Sequence, residues 1–73
     1  MENLQSLSVE ADRLIRINEV KQLTSLSKSS INAWVATGKF PAPASLSLTI
    51  RVWRYRDVVK WIDEAMVRGQ IYD

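Results

Sequence analysis

The 73-residue chain contains no cysteine and no histidine. The first absence excludes disulfides and thiolate-held metals. The second removes the commonest general base and the commonest zinc ligand. Glycine is scarce as well: Gly38 and Gly69 are the only two, so no glycine-rich phosphate loop is present. No apolar run approaches the roughly 20 residues of a membrane span. The amino terminus lacks the basic-then-apolar pattern of a secretory signal. Asp63 and Glu64 fall late on an expected helix and read as a solvated pair rather than a catalytic one. The expectation is a non-enzymatic cytoplasmic protein with no cofactor, metal, small-molecule ligand or membrane contact.

What is present fits one small domain, whose marginal core requires most apolar residues to be inside. Net charge is +2, unevenly distributed. Residues 1–12 carry Glu2, Glu10 and Asp12 without a basic residue, a balance of −3. The remainder holds all ten lysines and arginines against five acids, a balance of +5. The expected organisation is a flexible acidic arm over 1–12, a basic domain over 13–69 and a tail over 70–73. A basic domain favours a polyanionic partner.

Periodicity divides the domain. "RLIRI" (13–17) alternates like a short strand. "NEVKQLTSL" (18–26) spaces Val20, Leu23 and Leu26 as on a helix, with Asn18 as expected N-cap. "KSSINAWVATG" follows, capped by Ser27 and stopped by Gly38 and Pro41, with Ile31, Trp34 and Val35 facing inward. Only a tight turn fits between these helices. "SLSLTIRVWR" has the β-branched and aromatic content of a hairpin turning near Ser47 to Thr49. "RDVVKWIDEAMVRG" is a last helix with Val58, Trp61, Ile62, Ala65 and Met66 on its apolar face, ending at Gly69. The fold class is mainly α with a small β-hairpin, a minimal winged helix-turn-helix. Trp34, Phe40, Trp53 and Trp61 fall where the period demands core residues.

The second helix begins with short hydroxyl side chains and a cation. At about 100° per residue, Lys28, Ser29, Asn32 and Ala33 project away from Ile31, Trp34 and Val35. Short side chains let a helix axis approach the floor of a DNA groove. Serine and asparagine read base edges, and asparagine pairs bidentately with adenine. Lys28 reaches a phosphate, and backbone N–H groups over Ser27, Lys28, Ser29 and Ser30 offer an anion site. Lysine in a first turn opposes the helix dipole until an anion sits there. Ser27 also has a simpler role, as a cap.

The hairpin supplies a second set: Arg51, Arg54 and Arg56, with Lys39 before the prolines. If Trp53 points inward, strand alternation puts Arg51 on its face and sends Ile50 and Val52 to the other. Either Arg51 lies beyond the core edge near the tip, or the parity differs. An outward Ile50 and Val52 form an apolar strip at a sheet edge, suited to contact between copies on adjacent DNA sites.

"RLIRINEV", "LSKSSI", "GKFPAP" and the tryptophan before "DVVKWI" together resemble the AlpA family of phage and prophage regulators, relatives of MerR-like winged helices and excisionases. The similarity runs without gaps over about residues 13–65. It implies a double-stranded DNA-binding protein with its second helix in the major groove and its hairpin as a wing. It would act as a transcriptional regulator and/or as an excisionase (recombination directionality factor) beside a tyrosine integrase. By position, the groove-facing residues are Lys28, Ser29, Asn32 and Ala33, with Thr49 on the wing. The family often has a large or basic residue at positions 32 and 33 and a basic one at 49. A serine often caps the last helix where this chain has Arg56. The alternative function is a protein-interaction module, such as a phage anti-repressor or adaptor, using the acidic arm and the wing strip.

Overall fold

The computed structural model describes residues 13–72, so the expected acidic arm lies outside the described residues. The chain enters as strand β1 (Leu14–Ile15), then helix α1 (Ile17–Thr24) and helix α2 (Lys28–Ala36). Strands β2 (Ala44–Ser45) and β3 (Arg51–Arg54) form the hairpin, and helix α3 (Tyr55–Tyr72) completes the fold. This is the arrangement of a small winged helix-turn-helix. The two-stranded hairpin gains β1 as a third strand, in the order β1-β3-β2, antiparallel throughout. Ile15 pairs with Trp53, and Ala44 with Val52.

Helix α1 starts earlier than its sequence suggests. Arg16, not Asn18, is its N-cap, and its side chain makes no capping bond. The helix ends at Thr24 rather than Leu26 because Ser25 turns left-handed, with φ 63°. Thr24 closes that end: its hydroxyl donates to the Val20 carbonyl at 2.8 Å and accepts from the Leu26 N–H at 3.2 Å. Ser27 then caps α2 as expected, accepting from the Ser30 N–H at 3.1 Å.

At the far end of α2, Gly38 has φ 81°. Its N–H donates to the Val35 carbonyl at 3.2 Å and the Lys39 N–H to the Trp34 carbonyl at 2.7 Å. These are the paired bonds of a Schellman stop, which needs a left-handed residue and therefore favours glycine. The two expected glycine stops differ in outcome. Gly69 does not end α3, which runs on to Tyr72 in place of the expected tail. A glycine weakens a helix but ends it only when its backbone leaves helical space, and Gly69 has no positive φ.

Ile15, Val20, Ile31, Phe40, Trp53 and Val58 form the core, drawn from every layer of the fold. Trp34 and Trp61 pack against it half-buried, their rings 6.0 Å apart. Phe40 stands edge-on to Trp61 at 4.7 Å and to Trp53 at 6.4 Å. The two indole N–H groups do more than fill space. Trp61 donates to the Lys39 carbonyl at 2.7 Å and Trp53 to the Pro41 carbonyl at 2.8 Å. The segment between α2 and the wing is thus fixed by both tryptophans.

Candidate nucleic-acid interface

Residues 28–32 of α2 turn one flank toward the wing. Lys28 and Asn32 line a cleft of about 230 Å³ between α2 and β3, and Thr49 and Arg51 line it from the wing. Sequence reasoning named all four. Arg16 also lines the cleft, and was not foreseen. Its signal was present: a cation immediately before a helix, at a cap position where it cannot accept a backbone N–H. Ile17 and Trp53 form the apolar part of the wall.

The cleft has a definite electrostatic character. Arg16, Lys28 and Arg51 bring three cations to it, all exposed, and no acidic residue lines it among the described residues. Its lining includes the first residue of α1, Ile17, and the first of α2, Lys28. The amino end of a helix carries partial positive charge and unsatisfied N–H groups. Three exposed cations at the start of two helices and on the wing give the cleft the charge to accept an anion. Glu19, in the first turn of α1, pairs with Arg13 at 2.6 Å. Arg13 also lies over the Tyr55 ring, 5.0 Å from its centre.

The remaining expected residues separate. Ser29 and Ala33 are exposed on α2 but do not line the cleft. Ser27 and Ser30 are joined to each other: the Ser27 hydroxyl donates to the Ser30 hydroxyl and accepts the Ser30 N–H, both at 3.1 Å. That N–H is therefore spent on the cap and is not offered to an anion. Lys39 lines a different hollow, with Trp34, Trp61 and Arg68. Arg54 is exposed at the end of β3 opposite Leu14, and Arg56 is exposed in the first turn of α3.

Of the two parities left open for the wing, Arg51 takes the first. It shares the cleft with Trp53 yet is exposed, past the edge of the core. The expected strip of Ile50 and Val52 is corrected. Val52 is only 5% exposed and Ile50 is half-buried. Burial along β3 runs exposed, buried, buried, exposed, so the strict alternation that sent Val52 outward does not hold over these four residues.

No helix among the described residues is long and apolar enough to cross a membrane. A family model described as "Prophage CP4-57 regulatory protein (AlpA)" matches residues 13–66, the span that holds every element lining the cleft. No curated protein and no solved structure matches the chain.

Proposed function

The chain belongs to the AlpA family of prophage regulatory proteins, and from that premise we propose that it is a sequence-specific regulator that binds double-stranded DNA. Helix α2 enters the major groove with Lys28, Ser29, Asn32 and Ala33 toward the bases. A backbone phosphate occupies the cleft, held by Arg16, Lys28 and Arg51. Asn32 beside that phosphate is then placed to read a base edge, so position and reading are linked. The observation that carries this reading is the convergence of three exposed cations on one cleft that no acid lines among the described residues.

The same contacts serve transcription control and excision, and we assign the protein to one or both. A direct contact with a tyrosine integrase and assembly of copies on adjacent sites belong to this reading as further partners. The alternative, a protein-interaction module using the acidic arm and the wing strip, has Val52 of its strip buried, while its arm lies outside the described residues.

Gel shifts compare DNA from the ends of the host element with random DNA of equal length. Preferential binding to the ends is expected, with affinity falling steeply as salt rises. Equal binding to both DNAs, or a flat salt response, overturns the proposal. An excision assay, with integrase expressed from an independent promoter, then separates the two roles: excision that still depends on this protein assigns it a direct part in recombination.

A further inference from the structure

Among the described residues, the wing tip carries the most exposed large hydrophobic side chain. From Ala44 to Ile50 seven consecutive residues carry no charge. At its apex Leu48 is 103% exposed, and Leu46 is 62% exposed. A leucine so placed forgoes the stabilisation that burial gives. Nothing in the fold asks for it there, since the turn is built by other groups.

Those groups also hold the tip in shape. The Leu46 N–H donates to the Ile50 carbonyl at 2.8 Å. The Ser47 hydroxyl oxygen accepts from the N–H groups of Thr49 at 3.3 Å and Ile50 at 3.2 Å. The turn, which lacks an Asn-Gly pair, is closed by this serine instead. Leu48 therefore stands on a braced loop.

Its position relative to the cleft gives it a use. Thr49 and Arg51 follow it by one and three residues, and both line the cleft. Three residues of extended chain span at most about 10 Å. Leu48 is thus within about 10 Å of Arg51, near enough to reach a minor groove about 6 Å wide beside a phosphate held by Arg16, Lys28 and Arg51.

We propose that Leu48 is a wedge: the wing tip inserts it between two base pairs from the minor groove beside the α2 site and kinks the duplex toward the major groove. Proteins that bend DNA in this way insert apolar side chains and offset the unstacking by wrapping more DNA against their surface. Leu46 lies against the groove wall and excludes water from the opened step. The proposal rests on the DNA-binding reading above and adds a deformation that charge contacts alone do not produce.

The test uses the full chain and a duplex of about 30 base pairs that it selects from a random pool, long enough to hold a bent site. End-labelled fluorophores report the bend, and 2-aminopurine placed at each step in turn reports unstacking. The expected result is a bend within roughly 20–90°, with 2-aminopurine brightening at one step beside the α2 site. Leu48→Ser is expected to abolish both signals and weaken binding by about ten- to a hundredfold, the scale of one leucine side chain leaving water. Leu48→Met is expected to retain them. A bend unchanged in Leu48→Ser, or 2-aminopurine silent at every step of a bound duplex, overturns the wedge and leaves the DNA-binding reading standing. Failure of the pool to enrich any duplex overturns both.

Discussion

A cation at the start of a helix costs about 0.3–1 kcal/mol against the helix dipole, and this molecule accepts that cost twice, at Arg16 and at Lys28. Both side chains line the same cleft. A bound phosphate reverses the sign of the effect at each. Lys28→Ala and Arg16→Ala are therefore expected to leave thermal stability unchanged or to raise it by up to about 1 kcal/mol. Each is expected to weaken binding and to lower the slope of log affinity against log salt by at most about 1, since the phosphate in the cleft keeps two of its three cations. Titrations of the parent and the two variants at several salt concentrations check this. Asn32→Ala has a different expected signature: the salt slope stays and the preference at one base pair relaxes by about 1–3 kcal/mol, read by competition with single-base variants of the site. A large loss of stability in any of the three would mean that the side chain supports the fold instead of a ligand.

Elements differ in how openly their boundaries are written. Ser27, Gly38 and the inward set of Ile31, Trp34 and Val35 made α2 legible from the sequence, because a cap, a stop and a period agree there. The ends of α1 and α3 were not. Ser25 adopts a left-handed backbone without being glycine, and Gly69 stays helical although it is glycine. Local preference and actual backbone part company at both. Substitution at the two glycines separates them. Gly38→Ala is expected to destabilise the fold by about 1 kcal/mol, from the left-handed backbone alone, since nothing lies within 4 Å of the added methyl group. Gly69→Ala, equally uncrowded, is expected to stabilise it by a few tenths to about 1 kcal/mol. Urea unfolding of the two variants gives opposite shifts in midpoint if this is right.

Across the whole molecule, what the sequence left open was long-range. The pairing of β1 with β3 makes β3 an inner strand, and no periodicity within "RLIRI" or "RVWR" announces that partnership. The burial of Val52 and the approach of Arg16 to the wing are both features of the folded chain as a whole. Lys28 and Asn32 were legible because they lie on the face that the period of α2 exposes, whereas Arg51 is exposed near the wing tip in spite of sharing the parity of Trp53. The same small core sets how the molecule unfolds. Trp34, Trp53 and Trp61 sit on α2, β3 and α3 and all touch one cluster. Tryptophan fluorescence and far-ultraviolet circular dichroism are expected to give coincident thermal transitions, as for a single cooperative unit. An earlier fluorescence change would mean that the aromatic cluster loosens before the helices melt.

Strand β3 ends at Arg54 and α3 begins at Tyr55, with no joint between them. The Tyr55 N–H still bonds across to the Arg13 carbonyl, at 2.7 Å. One extra residue inserted there rotates everything downstream by about 100° about the helix axis and swings Val58 and Trp61 out of register with Phe40. The loop around Leu46 to Thr49 has no such stake in the core, so insertions and deletions that preserve folding belong there. Length variation in chains of this design is thereby channelled to the very end that, in our reading, meets the duplex.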